Sequence, residues 1–542
     1  MSSYLCGAVK ENFVECFKSL NQFLDERENE NKDDDEAIVF YDGNINRSSL
    51  SFSEWSKSSR NFAKNFLRSV KKSELVLLLV PTCREFPISF MGLQRLGLNT
   101  VLVSNKIQLE GILSHIKPDA LVIEENYLLE IPSSSIEEIP IVVLIGEAKK
   151  FDYIPAKKLL LYNDLIKENN DDTINLPKVN SENDLIVLLT SGTTGMPKLV
   201  QHSQWSYICQ VIENDSFQNT SFVDRQMSYT GGFGFIITSI VTGRKSIFSK
   251  FTAQETANCK KSLKVLKLEK CPMAFFLGYL LCDSLNHKEE LKELDGTLKF
   301  ILTGGQVLNN TFLSRLFDIL PNVILIDVYG AVEFGAMFFR IFMKNNLKPI
   351  MKLPAFSQIT IRNDMGEVVE RGETGHIWVK NRGCLKEYRG NPSATRKVVP
   401  LNGWHNTGDF GVIEKDGSAR VTGRRCDEIN VGSVKFFPLE LEEKIIHFEC
   451  IKDVIVVGIP DDRLGESLCA VVQLKENYLD NNKEILKENI LQYCSENIPS
   501  FPALGYACNI DNVVFIDELH KTYTNKVQRK SIREYAINSL KE

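Results

Sequence analysis

The feature that most constrains the fold is a repeated alternation of short apolar runs with longer amphipathic segments. Residues 75–81 read LVLLLVP, which is typical of a buried strand, and residues 85–125 then alternate helix, strand, helix and strand. Such βαβ alternation predicts a parallel sheet with helices on both faces. Further apolar runs predict strands at residues 140–146, 185–189, 298–305 and 323–330. Open α/β sheets bind ligands beyond the carboxyl ends of their strands, so the glycines after these runs indicate a ligand-binding edge.

Two changes of pattern divide the rest of the chain. From about residue 356, short strands and turns containing Gly or Asp-Gly predict an antiparallel β subdomain. After Gly423 and Arg424, predicted helices and strands are numerous enough for a small α+β domain. We therefore predict an α/β protein with a large multi-subdomain N-terminal domain, residues 1–424, which combines mostly parallel helix-covered sheets with the small antiparallel subdomain. Residues 425–542 are predicted to form a small mobile C-terminal domain.

Composition argues against several classes of function. The formal net charge of -6 gives no general attraction to nucleic acid. No apolar run approaches the roughly 18 residues that a transmembrane helix needs, and the N-terminus lacks the pattern of a targeting peptide. The 13 cysteines are dispersed without a C-x-x-C pair, which favours reduced thiols over disulfides or a zinc site. We expect a cytoplasmic protein without a transmembrane segment, whose oligomeric state the sequence leaves open.

The loop LLTSGTTGMPK, residues 188–198, has the composition of a phosphate-binding loop. Its glycines let the backbone approach a ligand closely, its hydroxyls and backbone N–H groups form an anion nest, and its lysine adds a cation. These residues are Thr190, Ser191, Gly192, Thr193, Thr194, Gly195 and Lys198. Met196 and Pro197 separate the last glycine from the lysine, which excludes the spacing of a P-loop NTPase. The residues alone leave a plain polar loop as the alternative.

The loop and later motifs, in this order, resemble the adenylate-forming (ANL) superfamily. This superfamily includes acyl-CoA synthetases, insect luciferases and the adenylation domains of peptide synthetases. The later motifs are TGGQVL at 303–308, DVYGAVEFG at 327–335, GWHNTGDFG at 403–411, the segment 423–443 and LHKTYTNKVQRKSIRE at 519–534. The resemblance extends over nearly the whole chain and implies the use of ATP, Mg²⁺ and coenzyme A.

The resemblance assigns roles around the nucleotide. The adenine side would be formed by Gly304, Gly305, Gln306, Tyr329 and Gly330, with the tyrosine ring stacked on the base. Glu333 would help to hold Mg²⁺, while Val332 replaces a usual threonine and so lacks one hydroxyl contact. Asp409 would accept hydrogen bonds from both ribose hydroxyls, which suits a carboxylate facing two adjacent donors. Arg424 would contact the ribose or a phosphate.

The C-terminal motifs carry both the predicted catalytic lysine and the departures from the family pattern. Lys526 would stabilise charge on the reacting phosphate, and Asn525 stands where the family has glycine. A hinge is expected at Arg425 and Cys426. Departures at Cys426, Asn430 and Ser433 fall on the part that would handle the second substrate, so the sequence leaves the second step open.

The resemblance implies two-step activation of a carboxylic acid, fatty (medium- or long-chain) or aromatic, to an acyl-adenylate and then a coenzyme A thioester. The acid is already ionised at pH 7, so no general base is needed, and catalysis depends on positioning and charge stabilisation. The expected catalytic residues are Lys526, Glu333 and Arg424, and the acyl pocket is expected beside Tyr229, Gly232 and Phe233. These last residues could equally pack a helix into the core.

Two other functions remain compatible with the sequence. A luciferase-like enzyme would oxidise an adenylated luciferin where a ligase transfers the acyl group to a thiol. A non-catalytic homologue would keep nucleotide binding alone, as the substitutions at Val332, Cys426 and Ser433 could indicate.

Overall fold

The computed structural model describes most of the chain. The described residues are 2–7, 18–30, 35–70, 73–151, 154, 156–171, 173–190, 198–212, 220–249, 259–305, 308, 310–399, 402–424, 427–431, 434–461, 465–497, 510–521 and 527–541. Several predicted residues of interest therefore lie outside the described part, namely Ser191, Gly192, Thr193, Thr194, Gly195, Gln306, Arg425, Cys426, Ser433, Asn525 and Lys526.

The strands are numbered in chain order. They are β1 Tyr4–Cys6, β2 Glu36–Tyr41, β3 Arg47–Ser51, β4 Leu75–Leu79, β5 Asn99–Leu102, β6 Ala120–Glu124, β7 Ile141–Ile145, β8 Lys158–Leu161, β9 Asp184–Leu189, β10 Leu199–Ser203, β11 Ser221–Val223, β12 Ser246–Ser249, β13 Met273–Phe275, β14 Phe300–Gly304, β15 Ile324–Ala331, β16 Gly335–Met343, β17 Asn346–Lys352, β18 Gln358–Arg362, β19 Thr374–Lys380, β20 Glu387–Tyr388, β21 His405–Ile413, β22 Ala419–Arg424, β23 Ile429–Val431, β24 Val434–Phe436, β25 Ile451–Asp461, β26 Gly465–Leu474 and β27 Ile510–Phe515.

The α-helices are numbered in the same way. They are α1 Leu20–Glu30, α2 Phe52–Ser69, α3 Glu85–Arg95, α4 Lys106–Leu113, α5 Glu125–Glu130, α6 Ser133–Ile136, α7 Tyr162–Leu165, α8 Gln204–Ile212, α9 Thr230–Thr242, α10 Cys259–Glu269, α11 Gly278–Ser284, α12 Lys288–Lys292, α13 Asn310–Ile319, α14 Pro392–Val398, α15 Pro438–Ile445, α16 Lys483–Asn497 and α17 Arg529–Ser539.

The chain forms two compact units, and the larger one comprises residues 6–358 and 379–405. It contains a sheet of eight described strands in the order β20-β10-β9-β5-β4-β6-β7-β8. A second sheet of nine described strands has the order β17-β16-β15-β14-β13-β11-β12-β2-β3. The central strands of both sheets pair in parallel, and antiparallel pairs lie towards the edges. The predicted α/β class with mostly parallel sheets is confirmed.

Helices cover both faces of the eight-stranded sheet, as the sequence predicts. Val76 and Leu78 of β4 belong to one buried apolar cluster, together with Trp55 of α2, whereas Leu75 and Leu77 belong to another. Successive side chains of a strand point to opposite faces, so a strand buried on both sides needs an unbroken apolar run. This requirement explains why residues 75–80 carry apolar residues without a polar alternation.

The second unit comprises residues 1–5, 359–378 and 406–542. Its first sheet has the order β1-β18-β19-β21-β22 and includes the antiparallel β21–β22 hairpin. The second has the order β24-β23-β26-β25, with β27 parallel to β26, and packs against α15, α16 and α17. The predicted antiparallel sheet and the small C-terminal α+β fold are therefore present. The predicted domain boundary after Arg424 falls within this unit and stays a prediction.

Among the described helices, none combines the length and the apolar character needed to cross a bilayer. The ten described cysteines are free thiols.

Candidate functional site

The ends of the predicted phosphate loop are fixed by a strand pair. β9 and β10 are antiparallel neighbours, and the loop connects them. The backbone N–H of Thr190 donates to the carbonyl of Lys198 at 3.1 Å, and the N–H of Lys198 donates to the Thr190 hydroxyl at 3.2 Å. The Thr190 hydroxyl thus closes the base of the loop, and Lys198 leads into the returning strand.

Glu333 is held by contacts to its backbone and its side chain. Its carbonyl accepts a hydrogen bond from the Leu385 N–H at 2.6 Å, and its Oε1 accepts one from the Tyr388 hydroxyl at 2.9 Å. The preceding carbonyl, of Val332, accepts from Nε2 of His202 at 2.8 Å. These partners lie far from Glu333 in the sequence, so the position of the carboxylate is fixed by the fold of the unit.

His202 is buried and uncharged, and it contacts the backbone next to Glu333. It is 1% exposed, and burial lowers its pKa to about 4. Because Nε2 donates to a carbonyl, Nδ1 is the unprotonated nitrogen, and it lies 3.1 Å from the Ser206 hydroxyl, which also lies 2.9 Å from the Ser203 carbonyl. A neutral imidazole of fixed tautomer therefore ties the start of α8 to the backbone beside Glu333.

Tyr388 joins the two predicted phosphate-side groups, and sequence reasoning missed it. The Lys198 Nζ lies 4.7 Å from the centroid of its ring, while its hydroxyl reaches Glu333. Burial, and secondarily Glu333, raises the pKa of Tyr388, which keeps the hydroxyl protonated as the donor. The strand that carries it, β20, has only two residues, so no periodic pattern in the sequence could indicate it.

The predicted adenine-side residues lie at the ends of neighbouring parallel strands. β14 ends at Gly304, and β15 carries Tyr329 and Gly330 close to its end. A Cβ at Gly304 would lie 2.6 Å from the Val328 carbonyl oxygen, and one at Gly330 would lie 2.4 Å from that of Gly335, so close backbone approach requires both glycines. Gly305 has φ +83°, a conformation that glycine adopts without strain.

The ring of Tyr329 is half-buried and stacks against another aromatic side chain. Its centroid lies 4.8 Å from that of Phe338, with an interplanar angle of 28°. Phe338 is the cross-strand partner of Tyr329 in the β15–β16 pair. The strand pairing thus fixes the tyrosine ring against a buried wall.

The predicted ribose residues form an ion pair in the second unit. Asp409 and Arg424 are cross-strand partners in the β21–β22 hairpin, and Arg424 Nε lies 3.3 Å from Asp409 Oδ1. The Thr407 hydroxyl accepts from the Asp409 N–H at 3.1 Å and donates to the Ile377 carbonyl at 3.0 Å. Gly408 turns the chain between them with φ +79°. Asp409 is half-buried and Arg424 exposed, so a carboxylate and a guanidinium stand at one surface.

The ends of the segment that contains the predicted catalytic Lys526 are also tied together. Lys521 and Val527 form an isolated antiparallel bridge, and the N–H of Gln528 donates to the carbonyl of His520 at 2.8 Å. Arg529 then begins α17 and binds both carboxylate oxygens of Glu442, at 2.6 and 2.7 Å. The flanks of Lys526 are thus anchored to the core of their own unit.

Asn430 is the one departure in the hinge motif that lies in the described part of that motif. It is in β23, opposite Lys435 of β24, and its backbone N–H donates to Glu466 Oε2 at 3.0 Å. Its side chain is exposed on the strand. An uncharged amide therefore stands on the surface of β23 at the position where the family commonly has lysine.

The residues predicted for the acyl pocket lie at the start of α9. Tyr229 is the N-cap residue, and a Cβ at Gly232 would lie 2.1 Å from the Gln226 carbonyl oxygen. Phe233 is fully buried, with ring centroids of Phe90 and Tyr207 at 5.0 and 5.3 Å. The backbone of Gln226 thus fills the space beside Gly232, and Phe233 packs in the core. The substrate role of these residues stays a prediction.

The carboxylate of Glu333 suits a metal ion whose remaining ligands are phosphate oxygens and waters. Within the described residues, no group of three or more His, Cys, Asp or Glu side chains is arranged to hold a metal ion by itself. Mg²⁺ typically binds through one or two carboxylates plus phosphates and waters. Glu333 meets this requirement, because Tyr388 bonds its Oε1 and a carboxylate offers a second oxygen.

Comparisons with known proteins identify the family of the chain. A family model described as AMP-binding enzyme matches residues 24–389, and one described as AMP-binding enzyme C-terminal domain matches residues 440–526. The chain is 24% identical to the long-chain-fatty-acid–CoA ligase FadD13 of Mycobacterium tuberculosis, over 86% of this chain and 88% of that protein. It is 22% identical to 4-coumarate-CoA ligase 1 of Narcissus pseudonarcissus, over 96% and 92%.

Solved structures share the fold. The anthranilate CoA ligase AuaEII, in complex with anthranoyl-AMP, superposes with a TM-score of 0.80 at 20% identity, covering 97% of this chain and 98% of that chain. At this identity the likeness is one of fold.

Proposed function

The chain belongs to the AMP-binding enzyme family, and from that premise we propose that it activates a carboxylic acid with ATP and transfers the acyl group to coenzyme A. One observation carries the proposal: the Lys198 ammonium lies over the Tyr388 ring, and the hydroxyl of the same tyrosine donates to Glu333. A phosphate-binding cation and a metal-binding carboxylate, distant in sequence, are held beside the base of a glycine-rich loop.

The proposed first step is adenylation. A carboxylate oxygen of the acid attacks the α-phosphorus of ATP, the bond to the bridging oxygen breaks, and pyrophosphate leaves with its electron pair. Because the acid is ionised at pH 7, no proton needs to be removed. The enzyme therefore lowers the barrier by alignment and by stabilising charge on the phosphate oxygens.

The proposed roles follow the chemistry of each side chain. Lys198 and the loop donors bind phosphate oxygens, Lys526 stabilises the charge that develops on the α-phosphate, and Arg424 binds the ribose or a phosphate. Glu333 would hold Mg²⁺, which neutralises phosphate charge when it is bound. Asp409 binds the two ribose hydroxyls, and its carboxylate keeps an ion pair with Arg424.

The proposed second step transfers the acyl group to the thiol of coenzyme A. The thiol releases its proton to water, the resulting thiolate sulfur attacks the acyl carbon, the bond to the adenylate oxygen breaks, and AMP leaves with that electron pair. We assign Lys526 to a lid domain, residues 425–542, and the thiol step to the face that carries β23 with Asn430. In this proposal, Asn430 places an exposed, uncharged amide where the family commonly has a charged lysine. The amide does not obstruct the surface of β23.

The acid is proposed to be a fatty acid of medium or long chain or an aromatic acid. The names of the two relatives support the long-chain and aromatic parts of this range, since one is a long-chain-fatty-acid–CoA ligase and the other a 4-coumarate-CoA ligase. The acyl pocket is proposed beside the start of α9, near Tyr229, where the ring centroids of Phe235 and Phe275 lie 5.6 Å apart. Such aromatic walls suit an apolar chain or ring.

The test is acid-dependent exchange of labelled pyrophosphate into ATP, over a panel of aliphatic acids of increasing length and of benzoates and cinnamates. We expect exchange with a subset of these acids and AMP release on addition of coenzyme A. Lys526→Ala should abolish most of the exchange, whereas Lys530→Ala, which removes an exposed lysine from the following helix, should preserve it. A folded protein that binds ATP but exchanges with no acid contradicts the proposed function.

A further inference from the structure

Tyr388 contacts a cation with its ring and a carboxylate with its hydroxyl. The Lys198 Nζ lies over the ring at 4.7 Å from its centroid, and the hydroxyl donates to Glu333 Oε1 at 2.9 Å. Tyr388 is 3% exposed, while Lys198 is exposed and Glu333 half-buried. One buried aromatic side chain thus contacts two groups of opposite charge, one through its ring and the other through its hydroxyl.

The position of this ring is fixed by the segment that carries Lys198. Tyr388 is the cross-strand partner of Val200, two residues after Lys198. Its backbone N–H donates to the Thr395 hydroxyl at 3.0 Å, and the next residue, Arg389, donates from its N–H to the Leu199 carbonyl at 2.8 Å. The β10–β20 pair therefore fixes the ring beside the segment that carries Lys198.

A cation and a carboxylate that contact the same side chain attract each other. If they paired directly, each would lose part of its capacity to bind a phosphate or a metal. No described carboxylate lies within ion-pair distance of the Lys198 ammonium. A cation–π contact leaves the positive charge available to an anion, and a phenol donor leaves the carboxylate ionised with one oxygen to spare.

We propose that Tyr388 is a positioning residue that prevents a direct Lys198–Glu333 ion pair and orients both groups for Mg-ATP. Its ring holds the lysine and its hydroxyl orients the carboxylate. The inference rests on the proposed function for what these two groups bind. The two halves of one side chain then act on two different ligands: the ring, through Lys198, acts on phosphate, and the hydroxyl, through Glu333, acts on the metal.

The test measures binding of ATP by isothermal titration calorimetry on the full chain, once with excess Mg²⁺ and once with EDTA. Tyr388→Phe should weaken Mg-ATP binding about tenfold, as expected for loss of one hydrogen bond to a charged group. It should change ATP binding in EDTA much less, because the carboxylate acts through the metal. Tyr388→Leu should weaken binding under both conditions, since Lys198 then loses the ring and pairs with Glu333.

Two further variants separate this role from a merely structural one. Tyr41→Phe removes a similar tyrosine–glutamate hydrogen bond, 2.7 Å long to Glu269, and should leave both dissociation constants unchanged. Glu333→Gln combined with Tyr388→Phe should bind Mg-ATP no more weakly than Glu333→Gln alone, because the hydroxyl acts only through that carboxylate. Circular dichroism of each variant reports folding.

The outcomes decide the inference. The inference is overturned if Tyr388→Phe binds ATP with the wild-type affinity, or if its affinity falls equally with Mg²⁺ and with EDTA. It is also overturned if the losses of Mg-ATP affinity caused by Glu333→Gln and Tyr388→Phe add up in the double variant. If wild type binds Mg-ATP and Tyr388 behaves as expected but no acid gives pyrophosphate exchange, the proposed function fails alone. If exchange occurs and Tyr388→Phe binds normally, this inference fails alone. A wild-type chain that binds no ATP contradicts both.

Discussion

Arg529→Leu should open the C-terminal sheet because Arg529 neutralises a buried carboxylate. Its guanidinium binds both oxygens of Glu442 at 2.6 and 2.7 Å, and its Nη1 also donates to the Val456 carbonyl at 3.1 Å. The Glu442 side chain is 9% exposed and also accepts the Val456 N–H at 2.8 Å. Leucine would fill much of the space but would leave the carboxylate buried without this counter-charge.

The magnitude follows from the geometry of this pair. Both side chains are less than a third exposed, so solvent screening is small, and the contact is bidentate. Removing one partner of such a pair typically costs about 3–5 kcal/mol. A factor of ten in an equilibrium corresponds to about 1.4 kcal/mol, so local opening of β25 and β26 should become roughly 100-fold more frequent or more.

The measurement is native-state hydrogen exchange followed by mass spectrometry. Peptides within residues 451–474 should lose protection, while peptides within residues 75–102, in the other unit, serve as the internal reference. Lys530→Leu, which removes an exposed charge from the same turn of α17, is the matched control and should leave protection unchanged. Pyrophosphate exchange should fall with Arg529→Leu, because α17 anchors the segment that contains Lys526.

A double variant provides the decisive comparison. Glu442→Gln combined with Arg529→Leu removes the uncompensated charge at Glu442 but keeps an oxygen that can accept the Val456 N–H, while Asp427, 3.6 Å from Arg529 Nε, loses this contact in both variants. It should recover part of the lost protection. If Arg529→Leu costs less than about 1 kcal/mol, as an exposed ion pair would, or if the double variant is worse than the sum of its parts, the reasoning is refuted.

Three further predictions test the remaining parts of the structure. Gly232→Ala should destabilise the larger unit by about 1–3 kcal/mol in urea unfolding because its Cβ would lie 2.1 Å from the Gln226 carbonyl oxygen, whereas Gly234→Ala, with no atom within 4 Å of its Cβ, should be neutral or stabilising. Asp409→Asn should weaken ATP binding about tenfold or more and remove the preference for ATP over its dideoxy analogue, measured by calorimetry. Burial of neutral His202 lowers its pKa from 6.5 to about 4, so the unfolded chain takes up a proton first as the pH falls. Stability should therefore be unaffected above about pH 6.5 and fall by up to about 3 kcal/mol as the pH approaches 4, and His202→Gln should make urea midpoints less dependent on pH in that window.

The sequence was sufficient for features that depend on neighbours along the chain. The unbroken apolar run of β4 predicted a strand buried on both faces. Successive side chains of a strand point to opposite faces of the sheet, so a strand covered on both faces has no exposed position for a polar residue. The loop between Thr190 and Lys198 was recognisable because turns, hydroxyls and a cation occur together within residues 188–198. The order of the later motifs then predicted the family, which the matches over residues 24–389 and 440–526 confirmed.

Contacts between distant segments could be found only in three dimensions. Tyr388 lies in a two-residue strand, and its contacts arise because chain pairing places it against both Lys198 and Glu333. Nothing in the sequence indicated that Gly232 is needed for close contact with the Gln226 backbone, since the composition of the segment is equally suited to an open pocket. Local periodicity determines which face of an element is apolar, but the partners of a polar side chain depend on how separate elements pack. The residue types proposed for the site could therefore be read from the chain, whereas their contacts depend on long-range packing.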